Sequence, residues 1–124
     1  MHIEQIHIHR LRVPLRTPYR LSFGPVDAFD TVLIEMRDRD GHSGIGEATY
    51  LTGYTDETIA ASWTLVQRLG REYAGLEAGD ITRRLQPHFA PAPFTATAFK
   101  TALEMAANPP LLRVEQQGRV PVRG

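Results

Sequence analysis

Apolar residues recur along the first third of the chain at strand-like spacings. Ile3, Ile6, Ile8, Leu11 and Val13 sit in a segment rich in β-branched residues, which predicts a first strand. The apolar parity shifts between Ile8 and Leu11, predicting a bulge or a change of covered face. Residues 14–27, PLRTPYRLSFGPVD, carry three prolines and a glycine and are predicted to break that strand. So long a connection in a compact domain reads as a binding loop or lid. Val32, Ile34 and Met36 alternate on a second strand over about 29–38, and Asp40-Gly41 is a hairpin signal. A third strand over about 42–49, HSGIGEAT, contains glycines that predict close backbone packing.

The period then changes. Ile59, Trp63, Val66, Leu69 and Tyr73 recur every three or four residues, predicting an amphipathic helix with Trp63 in the core. Thr55 is the predicted N-cap, with Asp56 and Glu57 in the first turn, and Gly75 or Gly79 the stop. Asp80 is predicted to cap a short second helix carrying Ile81 and Leu85 and ending at Pro87. The run APAP at 90–93 opens a third helix, with Phe94, Ala98, Phe99, Ala102, Leu103 and Ala106 as its buried stripe. Asn108-Pro109-Pro110 ends that helix, because a residue before proline avoids the helical region. The whole predicts an α+β fold: a three-stranded antiparallel meander followed by a helical bundle. Val120-Pro121-Val122 starts a further strand with no partner after it, which predicts a domain over 1–110 and a truncated linker with the start of another strand over 111–124.

Composition narrows the classes. The 124 residues suffice for one domain with a real core. Fourteen basic residues balance 14 acidic ones, which argues against a nucleic-acid partner. Cysteine is absent, so disulfides and thiolate metal sites are excluded for this sequence. The start, MHIEQIHIHR, has no apolar signal core and no stretch approaches 18 apolar residues; a cytoplasmic protein with no membrane partner is expected. Lys100 is the sole lysine, so lysine-based chemistry has one candidate.

Candidate chemistry is sparse. His7 and His9 fall on one side of a strand, but two imidazoles without a carboxylate or third histidine make an incomplete metal site, and an exposed face is the better reading. Gly41-His-Ser-Gly44-Ile-Gly46 lacks the Lys-Ser/Thr of a phosphate loop and does not open a helix. Glu47 ends a strand, where a structural hydrogen bond holding two loops is favoured over substrate contact. Arg20 suits pairing with a substrate carboxylate, with a solvated loop arginine as the alternative. Tyr19, Phe23, Tyr50 and Tyr54 cluster in two loops, which favours a ligand pocket over local packing. No set of carboxylates is spaced for Mg²⁺.

Taken in order, VPLRTPYRLSFG, DTVLIEMRDRDGHSGIGEA, TYLTGYTDET, FKTALEMAA and GRVPV resemble the N-terminal capping domain of the mandelate racemase/muconate-lactonizing enzyme family of the enolase superfamily, in its muconate-lactonizing-like subgroup. The resemblance covers roughly residues 1–122, departing where NPPLLRVEQQ replaces a glycine-rich turn and where the catalytic barrel is missing. It implies an enolase N-terminal-domain-like fold and a parent enzyme, an isomerase, epimerase, cycloisomerase or dehydratase, that forms an enolate from a small carboxylate on Mg²⁺ held in the barrel. It implies pocket residues in Thr17, Pro18, Tyr19, Arg20, Leu21, Ser22, Phe23 and Gly24 of a first loop and Tyr50, Leu51, Thr52 and Tyr54 of a second. No catalytic or metal-ligating residue carries over, so this chain alone is expected to be inactive and to hold no cofactor. Its implied partners are the barrel, the parent's substrate and a second copy of itself. The alternative is a free-standing α+β binding or oligomerisation module sharing the cap's topology.

Overall fold

The computed structural model describes residues 1–21, 24–50 and 57–108, with residues 13, 15–21 and 24–29 described by their backbone alone. Three strands, β1 (Ile3–Leu21), β2 (Gly24–Asp38) and β3 (Ser43–Tyr50), form an antiparallel sheet in the order β1-β2-β3. Helices α1 (Ile59–Tyr73), α2 (Ala78–Leu85) and α3 (Pro93–Ala107) follow, with a 3₁₀ turn at Gln86–His88. The α+β meander expected from the sequence is the observed architecture.

One core joins the layers. Val32, Ile34 and Met36 of β2 are fully buried against Val66, Leu69 and Tyr73 of α1 and Phe99 and Ala102 of α3. Tyr73 meets Phe99 edge-on, with ring centroids 5.6 Å apart. The close packing foreseen at the β3 glycines has a specific cause. A Cβ on Gly46 would lie 1.7 Å from the Ala98 carbonyl oxygen, and one on Gly44 2.1 Å from that of Ala102. With Ala98, Ala102 and Ala106 spaced by four, α3 presents a strip of small side chains, and β3 lies backbone against backbone on it.

The long connection expected over 14–27 is corrected by the structure. The chain stays extended through Leu21, and Tyr19, Arg20 and Leu21 pair with Val26, Pro25 and Gly24. Its prolines are compatible with this because β1 is an edge strand and because Pro18 falls in an irregularity, where residues 15–18 face only Asp27. The register change foreseen between Ile8 and Leu11 lies elsewhere, at Glu4, between Ile3 and Gln5. Ile6 and Ile8 therefore share the covered face with Ile3, and Leu11 faces solvent.

Helix starts differ too. Thr58, not Thr55, caps α1, its Oγ1 accepting from the Ala61 amide at 3.3 Å. Glu57 thus precedes the helix instead of lying in its first turn; Thr55 and Asp56 lie outside the described residues. Gly75, at φ +91°, follows the last turn of α1 as expected of a stop. Asp80 sits in the first turn of α2, while Glu77 holds the cap position without a side-chain bond. On α3 Phe94 is exposed, unlike the rest of its predicted stripe, and Trp63 is half-buried, packed against the core with the Arg10 guanidinium 5.9 Å from its ring centroid. α3 ends at Ala107, and the expected strand at Val120-Pro121-Val122 and the division at 110 lie outside the described residues.

Candidate functional site

The sheet is not uniform along its length. β3 stops at the Asp30–Tyr50 pair, whereas β1 and β2 run on together to Leu21–Gly24 as a two-stranded ribbon. Asp30 is also the partner of Arg12, with Arg12 Nη1 3.9 Å from Asp30 Oδ2. The base of the ribbon therefore adjoins the end of β3, and both lead out of the same end of the sheet. Of the expected pocket residues, Thr17 and Pro18 fall in the ribbon's irregularity, and Tyr19, Arg20, Leu21 and Gly24 in its paired tip. Ser22, Phe23, Leu51, Thr52 and Tyr54 lie outside the described residues.

Tyr50 is placed otherwise than a pocket wall. It is 2% exposed and its hydroxyl lies 2.5 Å from Thr95 Oγ1. Thr95, itself fully buried, donates that hydroxyl's proton to Glu57 Oε2 at 2.9 Å. A hydroxyl has one proton, so the Tyr50 hydroxyl is the donor to Thr95. The backbone amides of Phe94 and Thr95 donate to Glu57 Oε1 and Oε2 at 2.5 and 3.2 Å. Burial pushes the Tyr50 phenol above its ordinary value, and the nearby Glu57 charge adds to the rise. Helix α3 begins after Ala92, which has no side-chain acceptor, so its first amides need one from elsewhere. Glu57, 38 residues away from Thr95, supplies it, and its negative charge sits at the favourable end of the helix dipole. The sequence carried half of this signal: a buried helix start without a Ser, Thr, Asp or Asn cap requires a distant partner.

The remaining candidates separate. His7 and His9 are exposed on the outer face of β1, and His7 Nε2 lies 3.2 Å from Gln5 Oε1. Glu47 is exposed on the outer face of β3. The β2–β3 hairpin assembles a group that the sequence reading did not foresee: ligand atoms of Asp38, Asp40 and His42 within 4.8 Å of one another. Asp38 organises that turn. Its Oδ1 accepts the Asp40 and His42 amides at 2.9 and 2.8 Å, and His42 Nδ1 lies 3.0 Å from Oδ2. Burial pushes the Asp38 carboxyl upward, but the bonds from His42 and Asp40 outweigh it and leave its pKa below the ordinary value.

Residues 3–116 match the N-terminal domain of the mandelate racemase / muconate lactonizing enzyme family. The chain belongs to that family. Among curated relatives, an o-succinylbenzoate synthase of Geobacillus stearothermophilus is 32% identical over 69 residues, covering 54% of this chain and 18% of the relative. A hydrophobic dipeptide epimerase of Citrifermentans bemidjiense is 32% identical over 96 residues, covering 77% and 26%. Among solved structures, the dipeptide epimerase of Methylococcus capsulatus, in complex with Mg and the dipeptide L-Arg-D-Lys, superposes with a TM-score of 0.72 at 28% identity. That match covers 90% of this chain and 32% of the epimerase. The chain thus spans a third or less of the length of these enolase-superfamily enzymes.

The described residues of this mandelate racemase / muconate lactonizing enzyme N-terminal domain do not fit a magnesium site. Mg²⁺ takes an octahedron of hard oxygen ligands. In the Asp38–Asp40–His42 group both Asp38 oxygens already accept hydrogen bonds and the third member is an imidazole. No step of a magnesium-dependent reaction is assigned to these side chains.

Proposed function

We propose that this domain caps the active site of a barrel in a parent enzyme, where it shapes the pocket around the substrate. The parent is a cytoplasmic, homo-oligomeric isomerase, epimerase, cycloisomerase or dehydratase that forms an enolate from a small carboxylate on Mg²⁺ bound by the barrel. The observation that carries the reading is the register at Asp30. It brings the base of the ribbon whose paired tip holds Tyr19–Leu21 and the last residue of β3, Tyr50, to one end of the sheet. A ribbon running on from that end offers a surface able to close over the mouth of a barrel, where barrel active sites lie. Closure excludes water and strengthens the electrostatics inside. Arg20, on the paired tip of the ribbon, would supply a cation for a substrate carboxylate.

The test uses the full-length protein that carries this domain. Candidate dipeptides and N-acylated amino acids are incubated in D₂O, and exchange of the α-proton is followed by mass spectrometry. Arg20→Ala is expected to raise KM about tenfold, the loss of roughly 1.4 kcal/mol of binding, while kcat changes little. The 124-residue chain alone should exchange no α-proton. Exchange by that chain, or a parent whose KM values ignore both Arg20→Ala and replacement of the ribbon tip, would overturn the proposal.

A further inference from the structure

The segment 51–56 leaves the sheet at Tyr50 and rejoins described structure at Glu57. Those two flanking residues are joined through a third. Tyr50 donates to Thr95 and Thr95 to Glu57, at 2.5 and 2.9 Å, and all three are nearly or fully buried. We infer that Tyr50, Thr95 and Glu57 form a clasp that couples the end of β3 and the residues leading into α1 through the first turn of α3, making them positioning residues for those two chain ends.

Each member contributes something different. Glu57 is fixed by the two backbone amides of Phe94 and Thr95, which are themselves part of α3 and move only if the helix start moves. Thr95 Oγ1 is both acceptor and donor, so it links the Tyr50 end to the Glu57 end. Hydroxyl chains that end on a carboxylate polarise one another, and in a dry site the loss of one link weakens its neighbour. A bare helix cap would need only Glu57 and the amides. The clasp adds a coupling between two points on either side of a six-residue segment, and this coupling is what the experiment measures.

The functional meaning of the clasp rests on the capping role proposed above, but its existence does not, and the experiment reads the clasp without substrate or barrel. Backbone ¹⁵N order parameters are measured on the 124-residue chain and on Thr95→Val, Thr95→Ser and Tyr50→Phe. Rigid backbone gives about 0.85 and flexible backbone less than about 0.6. Thr95→Val leaves the backbone amides bound to Glu57 and removes the hydroxyl link. It is expected to lower the order parameters of Tyr50 and of Glu57–Thr58 together toward the flexible range, with Val32–Met36 unchanged. Thr95→Ser should restore both ends. Tyr50→Phe keeps the ring in the core and serves if Thr95→Val does not fold; removal of that one hydroxyl should loosen Glu57–Thr58 as well. A response confined to the mutated end overturns the inference. So do no response at either end and a loss of order spread evenly through β2. If the clasp holds while the full-length enzyme ignores the ribbon variants, the capping role fails and the clasp stands.

Discussion

At the residue scale, Gly46 and Gly70 look alike in the sequence and differ in the fold. A Cβ on Gly46 would meet the Ala98 carbonyl oxygen at 1.7 Å, and neither backbone has room to retreat. Gly46→Ala is expected to cost ~3 kcal/mol or more, the upper end for overpacking, seen as a fall in the urea midpoint. A Cβ on Gly70 meets the far end of the Ile8 side chain at 2.4 Å, which turns aside, while alanine favours the helix. Gly70→Ala should therefore stay within about 1 kcal/mol of the parent chain. Tyr73 gives a third case. Its hydroxyl is buried with no hydrogen-bond partner among the described residues. Tyr73→Phe keeps the edge contact with Phe99 and is expected to be neutral or stabilising by up to ~1 kcal/mol. Burial pushes the Tyr73 hydroxyl up to about 12, with Glu72 adding to the rise and Arg84 and Arg68 opposing it. A raised folded value means that its contribution is intact below the ordinary value of 10.0 and is lost as pH rises through about 12. Unfolding curves taken across that range should fall more steeply for the parent chain than for Tyr73→Phe.

At the element scale, the β2–β3 hairpin depends on one carboxylate. The depressed pKa of Asp38 means that its stabilisation is present above the ordinary 3.8 and is lost as pH falls through its folded value. Asp38→Asn should cost ~1–2 kcal/mol at pH 6, since a buried charged acceptor is lost. The gap between variant and parent should close below about pH 4, and an unchanged gap at pH 3 would remove Asp38 from the account. What the sequence revealed of these elements follows from the range of the forces involved. β2 and α1 were legible because the burial of Val32, Ile34 and Met36, and of Val66, Leu69 and Tyr73, repeats at strand and helix periods. The ribbon was not, because proline signals a break, and only the knowledge that β1 is an edge strand makes Pro14 and Pro18 acceptable there. The Glu57 clasp was not legible either. Two acids ahead of an apolar run fit a first helical turn, and the amides that claim Glu57 lie 37 and 38 residues further on. Tyr50 was read as a pocket aromatic because nothing local shows that Thr95 waits for its hydroxyl.

At the scale of the whole molecule, the ribbon and the outer sheet face are surfaces that the described fold does not cover. Beyond Asp30 neither edge of the ribbon pairs with another described strand, so both present backbone donors and acceptors to any strand that approaches. On the outer face of the sheet Leu11 and Ile45 are 43% and 49% exposed. Under the capping role the barrel would meet the ribbon end; the isolated chain has only copies of itself. Self-association is therefore expected, and a two-fold dimer is the simplest closed arrangement. Sedimentation velocity at tens of micromolar, roughly the range of weak association, should show dimer. Replacing residues 15–27 by Asn-Gly would close the Pro14–Ala28 pair with a two-residue turn and leave the register of β2 with β3 untouched. If ribbon edges make the contact, that variant runs as a monomer and Ile45→Lys remains a dimer. If the sheet face makes it, the two variants exchange behaviours. A parent chain that sediments as a clean monomer at these concentrations would show that the exposed edges and the two exposed apolar side chains together are too little to hold a second copy.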